Sequence, residues 1–95
     1  MTILEKHLRT IKEFIEKKNN TLEEEYDTYA KLETYIVDKS PEIDKLENEE
    51  IFDLGGLMQD QIAEMEYMED NSQYIAEIKK IYERMQEIYK SMQNN

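Results

Sequence analysis

The stretch NSQYIAEIKKIYERMQEIYKSMQN, residues 71–94, carries its apolar side chains in a repeating order. The adjacent pairs Tyr74–Ile75, Ile81–Tyr82 and Ile88–Tyr89 alternate with the single residues Ile78, Met85 and Met92. Residues three and four apart share a helix face, so this order makes one stripe with a doubled edge. Lys79, Lys80, Glu83, Arg84, Glu87 and Lys90 occupy the opposite face. The stripe is wider than a two-stranded coiled-coil seam, and the helix is therefore expected to touch two neighbours.

Working outward, Thr2-Ile3-Leu4-Glu5 is a capping box, with a hydroxyl and a carboxylate placed to satisfy first-turn amides. From Leu4 a seam runs in steps of four and three through Leu8, Ile11, Ile15, Lys18, Leu22, Glu25, Tyr29, Leu32 and Ile36. Asn19–Asn20 followed by a second Thr-x-x-Glu box at Thr21–Glu24 reads as a helix stop and restart. The heptad phase nevertheless survives that passage. The spacing thus predicts a long helix over about 2–38, bent or broken near Asn19–Asn20.

Ser40-Pro41-Glu42 reads as a fresh helix start and Gly55–Gly56 as a stop, giving a short helix over about 41–54. The final helix is expected over about 57–93, because no glycine or proline interrupts it. The expected fold class is all-α: an antiparallel hairpin or small bundle of two long helices and a short connector, with coiled-coil-like packing. A fold-back near Asn48 sets Leu4 against Met92, Leu8 against Ile88, Ile11 against Met85 and Ile15 against Ile81. A second copy of the chain, in a homodimer or higher oligomer, would then cover the rest of the stripe.

Chemistry is sparse. There is no cysteine, which removes disulfides, thiolate metal sites and thiol nucleophiles. His7 is the only histidine, too few for a triad or a di-iron bundle, and it is read as a packing residue at the seam edge. The acids around Asp38–Glu50 lack the alternation of a calcium loop, and two glycines cannot form a phosphate-binding loop. Met58, Met65, Met68, Met85 and Met92 follow the apolar stripes and are read as core rather than as a peptide groove. No enzyme activity, cofactor or metal is expected.

In length, absence of cysteine and helix–turn–helix plan the chain resembles the small secreted hairpins of the WXG type. Their Trp-x-Gly turn is absent, since the corresponding region reads Phe52-Asp53-Leu54-Gly55-Gly56 and the chain has no tryptophan. Their C-terminal Tyr-x-x-x-Asp/Glu is absent too, as Gln86 stands four residues after Tyr82.

Charge is the unusual signal. The net charge is −11, and residues 21–70 hold seventeen acids against Lys31, Lys39 and Lys45. Such a chain is repelled by phosphate backbones and anionic lipids, so direct nucleic-acid and membrane binding are disfavoured and a basic protein partner is favoured. The candidate partner-binding residues are Glu42, Asp44, Glu47, Glu49, Glu50, Asp53, Asp60, Glu64, Glu66, Glu69 and Asp70. The expected function is a non-catalytic cytoplasmic binding protein. It acts as an inhibitor or adaptor whose carboxylates mimic nucleic acid and occupy a basic surface, including that of a nucleic-acid-binding protein, as phage-type antagonists of defence or DNA-handling proteins do. The alternative is an assembly module that oligomerises or escorts another helical protein through Tyr74, Ile75, Ile78, Ile81, Tyr82, Met85, Ile88, Tyr89 and Met92.

Overall fold

The computed structural model describes residues 2–94 and contains four helices: α1 (Ile3–Glu16), α2 (Leu22–Asp44), α3 (Glu49–Glu64) and α4 (Ser72–Gln93). The all-helical class expected from the sequence holds, with four helices in place of three. Each helix packs against its neighbour in the chain, and α1 closes the ring against α4. The four helices form a cylinder of 43 × 22 × 21 Å. None is long and apolar enough to cross a membrane.

The stop-and-restart reading of Asn19–Thr21 prevails over the unbroken heptad phase. The Thr21 hydroxyl accepts from the Glu24 N–H at 3.1 Å, and the Glu24 carboxylate accepts from the Asn20 N–H at 2.9 Å. The buried Thr28 hydroxyl donates to Asn19 Oδ1 at 2.8 Å and holds the turn against α2. A continuous helix over 2–38 therefore does not form. The preserved phase has a simpler cause, because both helices must present apolar residues to the same core.

Two boundaries placed by single residues fall inside helices instead. Pro41 lies within α2, which continues to Asp44. Its missing N–H leaves the Val37 carbonyl without a helical partner, but Val37 is 48% exposed and water can take that place. Ile36 and Ile43, buried on either side of Pro41, hold the turn in register. Gly55 and Gly56 lie within α3, and no glycine has positive φ. The left-handed conformation that makes glycine a helix stop is taken instead by Glu47, at φ 55°, in the α2–α3 turn.

The third difference is a break where one helix over about 57–93 was expected. α3 ends at Glu64, and the chain turns through residues 65–71, with Met68 at φ 62°. Asn71 organises this turn from a buried position. Its amide oxygen accepts from the Glu66 N–H at 2.9 Å, and its NH₂ donates to the Glu66 and Glu69 carbonyls at 3.0 and 3.2 Å. One asparagine thus satisfies three backbone groups, which neither glycine nor proline could do.

Ile11, Leu32, Ile51, Met58, Ile78 and Met85 are almost wholly buried and form the centre of the core. Of the α4 stripe, Ile75, Ile78, Tyr82, Met85 and Ile88 are buried, and Tyr74, Ile81 and Tyr89 are half-buried against them. Met92 is exposed. The stripe meets α3 on one side and α1 on the other, where the Tyr89 hydroxyl donates to the Glu5 carboxylate. The wide stripe does have its two expected neighbours, and both come from the same chain. A second copy is not needed to cover it.

Candidate docking face

The eleven acids proposed for partner binding are all exposed, but the fold does not gather them into one tip. Glu42, Asp44, Glu47, Glu49, Glu50 and Asp53 cluster around the α2–α3 turn. Asp60 lies further along α3, while Glu64, Glu66, Glu69 and Asp70 lie at the α3–α4 turn. The length of α3, ~24 Å, separates the two ends. The acidic tip of a simple hairpin is replaced by two acidic ends and a face between them.

Several of these acids are already engaged. The Arg84 guanidinium donates to Glu50 Oε1 at 2.6 and 3.0 Å, and Lys39 lies 3.8 Å from Glu42. Asp70 accepts from the Ser72 N–H at 2.9 Å and from its hydroxyl, and these bonds hold its carboxyl below the usual range. Nine of the eleven, all but Glu42 and Glu50, enter no ion pair among the described residues.

Helix periodicity puts Glu49, Asp53 and Asp60 on one face of α3, and Asp44 stands at the end of α2. With positions three and four apart aligned, Glu33, Val37, Ser40 and Asp44 form one line along α2. Phe52, Gly56, Gln59 and Ala63 form a line with the same spacing along α3, beside Glu49, Asp53 and Asp60. Neither line contains a lysine or arginine. Glu33 belongs to this face and was not among the sequence candidates. Only the phase of α2 about the core reveals it.

Between the lines lie two recesses. One, of about 110 Å³, is bordered by Ser40, Phe52, Gly56 and Gln59, with Ile36, Ile51 and His7 beneath. The other, of about 200 Å³, is bordered by Tyr26, Ala30, Glu33 and Ala63, with Ile62 and Met65 beneath. The glycines keep the first recess open. A methyl added at Gly55 would reach ordinary contact with Ile36 at 4.0 Å, and one added at Gly56 would meet nothing. A mid-helix glycine destabilises by roughly 1 kcal/mol relative to alanine. Here neither a positive φ nor a close approach accounts for it.

The chain matches no family model, curated protein or solved structure. Function therefore has to be read from the face itself. Among the described residues no three His, Asp or Glu side chains converge where they could hold a metal ion.

His7, which lines the first recess, is strongly perturbed by burial. It is 4% exposed, stacks on Tyr35 at 5.5 Å and places Nδ1 3.3 Å from the Tyr35 hydroxyl. Burial, aided by the charge of Lys39 and partly offset by Glu42, lowers its pKa from 6.5 to about 4. The unfolded chain therefore binds a proton near pH 6.5 that the folded chain refuses until about pH 4. Stability should fall as pH falls through that window, by ~2–3 kcal/mol between pH ~7 and pH ~4.5. Urea unfolding of the wild type and His7→Phe at both pH values isolates this effect, because their carboxylates are the same. Parallel losses in the two proteins would show that His7 does not carry it.

Proposed function

We propose that the protein is a non-catalytic binding module that docks the α2–α3 face onto a basic surface of a protein partner, as an inhibitor or adaptor. The observation that supports this reading is the set of exposed carboxylates Asp44, Glu49, Asp53 and Asp60 on α2 and α3, which enter no ion pair among the described residues. Two like charges ~10 Å apart in water repel by ~0.4 kcal/mol before screening. The face holds several such pairs, and a basic partner relieves the repulsion in them all. A surface that a cytoplasmic nucleic-acid-binding protein offers to phosphates has the required chemistry.

The assembly reading relied on an open stripe from Tyr74 to Met92. Within the chain α1 and α3 occupy that stripe, which leaves the acids as the larger unpartnered feature. The test is capture of partners from source lysate on the immobilised full chain. The bound protein should be retained at ~0.1 M salt and eluted at ~1 M, as the Debye length falls from ~10 to ~3 Å. A partner whose retention is indifferent to salt would contradict docking through carboxylates.

A further inference from the structure

A third recess, of about 320 Å³, lies between α1 and α2, and its lining comes from those two helices alone. Small-molecule sites begin at about this size, ~300 Å³. α1 brings Ile3, Lys6 and His7, three and four positions apart and so on one face. α2 brings Tyr35, Lys39 and Ile43, four apart along one line, with Glu42 beside them. Two ammoniums against one carboxylate leave the lining a net charge of +1, in a chain of −11. Glu42 holds Lys39 loosely, at 3.8 Å with both side chains about half exposed, and Lys6 enters no ion pair among the described residues. The other acids of the chain act from outside the lining, and screening weakens exposed charges beyond ~8 Å at physiological salt.

The His7–Tyr35 pair adds a neutral donor to these cations. A neutral imidazole and a phenol have one N–H and one O–H between them, and the bond from one to the other, 3.3 Å at Nδ1, uses only one of the two. In either tautomer a donor hydrogen is left over. From this cluster we infer that the α1–α2 recess binds a small organic monocarboxylate. The carboxylate lies between Lys6 and Lys39, and the apolar body lies against Ile3, Ile43 and the Tyr35 ring. Ile3, 50% exposed at the rim, gains cover from it. A dianion such as phosphate exceeds the local charge, meets the Glu42 carboxylate and has no apolar part to place. A neutral ligand leaves both ammoniums unused. The site takes the opposite charge from the docking face and does not rest on that reading.

The probe is benzoate, titrated into the full chain at neutral pH and low salt and followed by amide NMR shifts. The shifts should saturate and centre on Lys6, His7 and Lys39. Neutral benzamide and acetate, which lacks the apolar body, should each bind at least about tenfold more weakly. Lys6→Gln with Lys39→Gln should weaken benzoate binding at least about tenfold, with helix content unchanged because neither side chain is buried. Lys17→Gln with Lys18→Gln makes the same change in net charge outside this recess and should leave the affinity within about twofold. Equal binding of benzamide would overturn the role of the ammoniums. Acetate or inorganic phosphate bound as tightly at the same residues would overturn the ligand class. Shifts that do not saturate there, or equal losses in the two lysine variants, would overturn the site.

Discussion

Met85→Ala should lower the folding free energy by about 2–5 kcal/mol, whereas Met92→Ala should change it by no more than ~0.5 kcal/mol. Both methionines lie on the same apolar stripe, seven residues apart, and sequence alone treats them alike. In the fold Met85 is wholly buried, while Met92 is 44% exposed at the end of α4. Truncating Met85 removes apolar contacts and leaves a void that neighbouring side chains only partly fill. Ile78, equally buried, should behave as Met85 does. The sites are ~10 Å apart on one helix, so their effects should nearly add. The sum is comparable with the ~5–15 kcal/mol that holds a typical domain together. The double variant should therefore lose cooperative unfolding, and each single core variant should melt on the order of 10 °C or more below wild type. Urea titration followed by circular dichroism measures all four. Equal effects of Met85→Ala and Met92→Ala would contradict the arrangement of α4 between α1 and α3.

The helices were legible where a face of apolar residues was long and regular. The hydroxyl half of each expected capping box forms, with the Thr2 and Thr21 hydroxyls 3.1 Å from the amide three residues on. The Glu5 carboxylate accepts instead from Tyr89, and that of Glu24 from the Asn20 N–H. Breaks placed by Pro41 and Gly55–Gly56 were misplaced for a common reason. Each residue destabilises a helix by only a few kcal/mol at most, and the buried residues on either side outweigh that. The turn over residues 65–71 carries no glycine or proline. It depends on the side chain of Asn71, whose three bonds exist only after the chain has folded around it.

The acidic character of the site was equally plain in the composition, but its geometry was not. Glu50 and Asp53 differ by three positions, yet Arg84 of α4 pairs with Glu50 while Asp53 remains unpaired on the outer face. Which acid meets a cation is decided by the rotation of α3 between α2 and α4. Local sequence spacing does not contain that rotation. The missed Glu33 has the same explanation.

Reversing charge on this face should have the largest effect on binding of any surface change. The triple variant Asp44→Lys, Asp53→Lys, Asp60→Lys removes three exposed carboxylates and adds three cations on α2 and α3. Each position is exposed and outside any ion pair among the described residues, so helix content should be unchanged. A second triple variant, Glu64→Lys, Glu66→Lys, Glu69→Lys, changes net charge equally at the α3–α4 end and spares the Asp70 cap of Ser72. The comparison separates docking at a defined face from attraction by overall charge. The decisive measurement is the affinity of the captured partner for the full chain in both variants at low salt. Docking through the α2–α3 face predicts a loss of at least about a hundredfold in the first variant, roughly 3 kcal/mol, and a change of only a few-fold in the second. An undiminished affinity in the first variant, with its helices intact, would contradict the account.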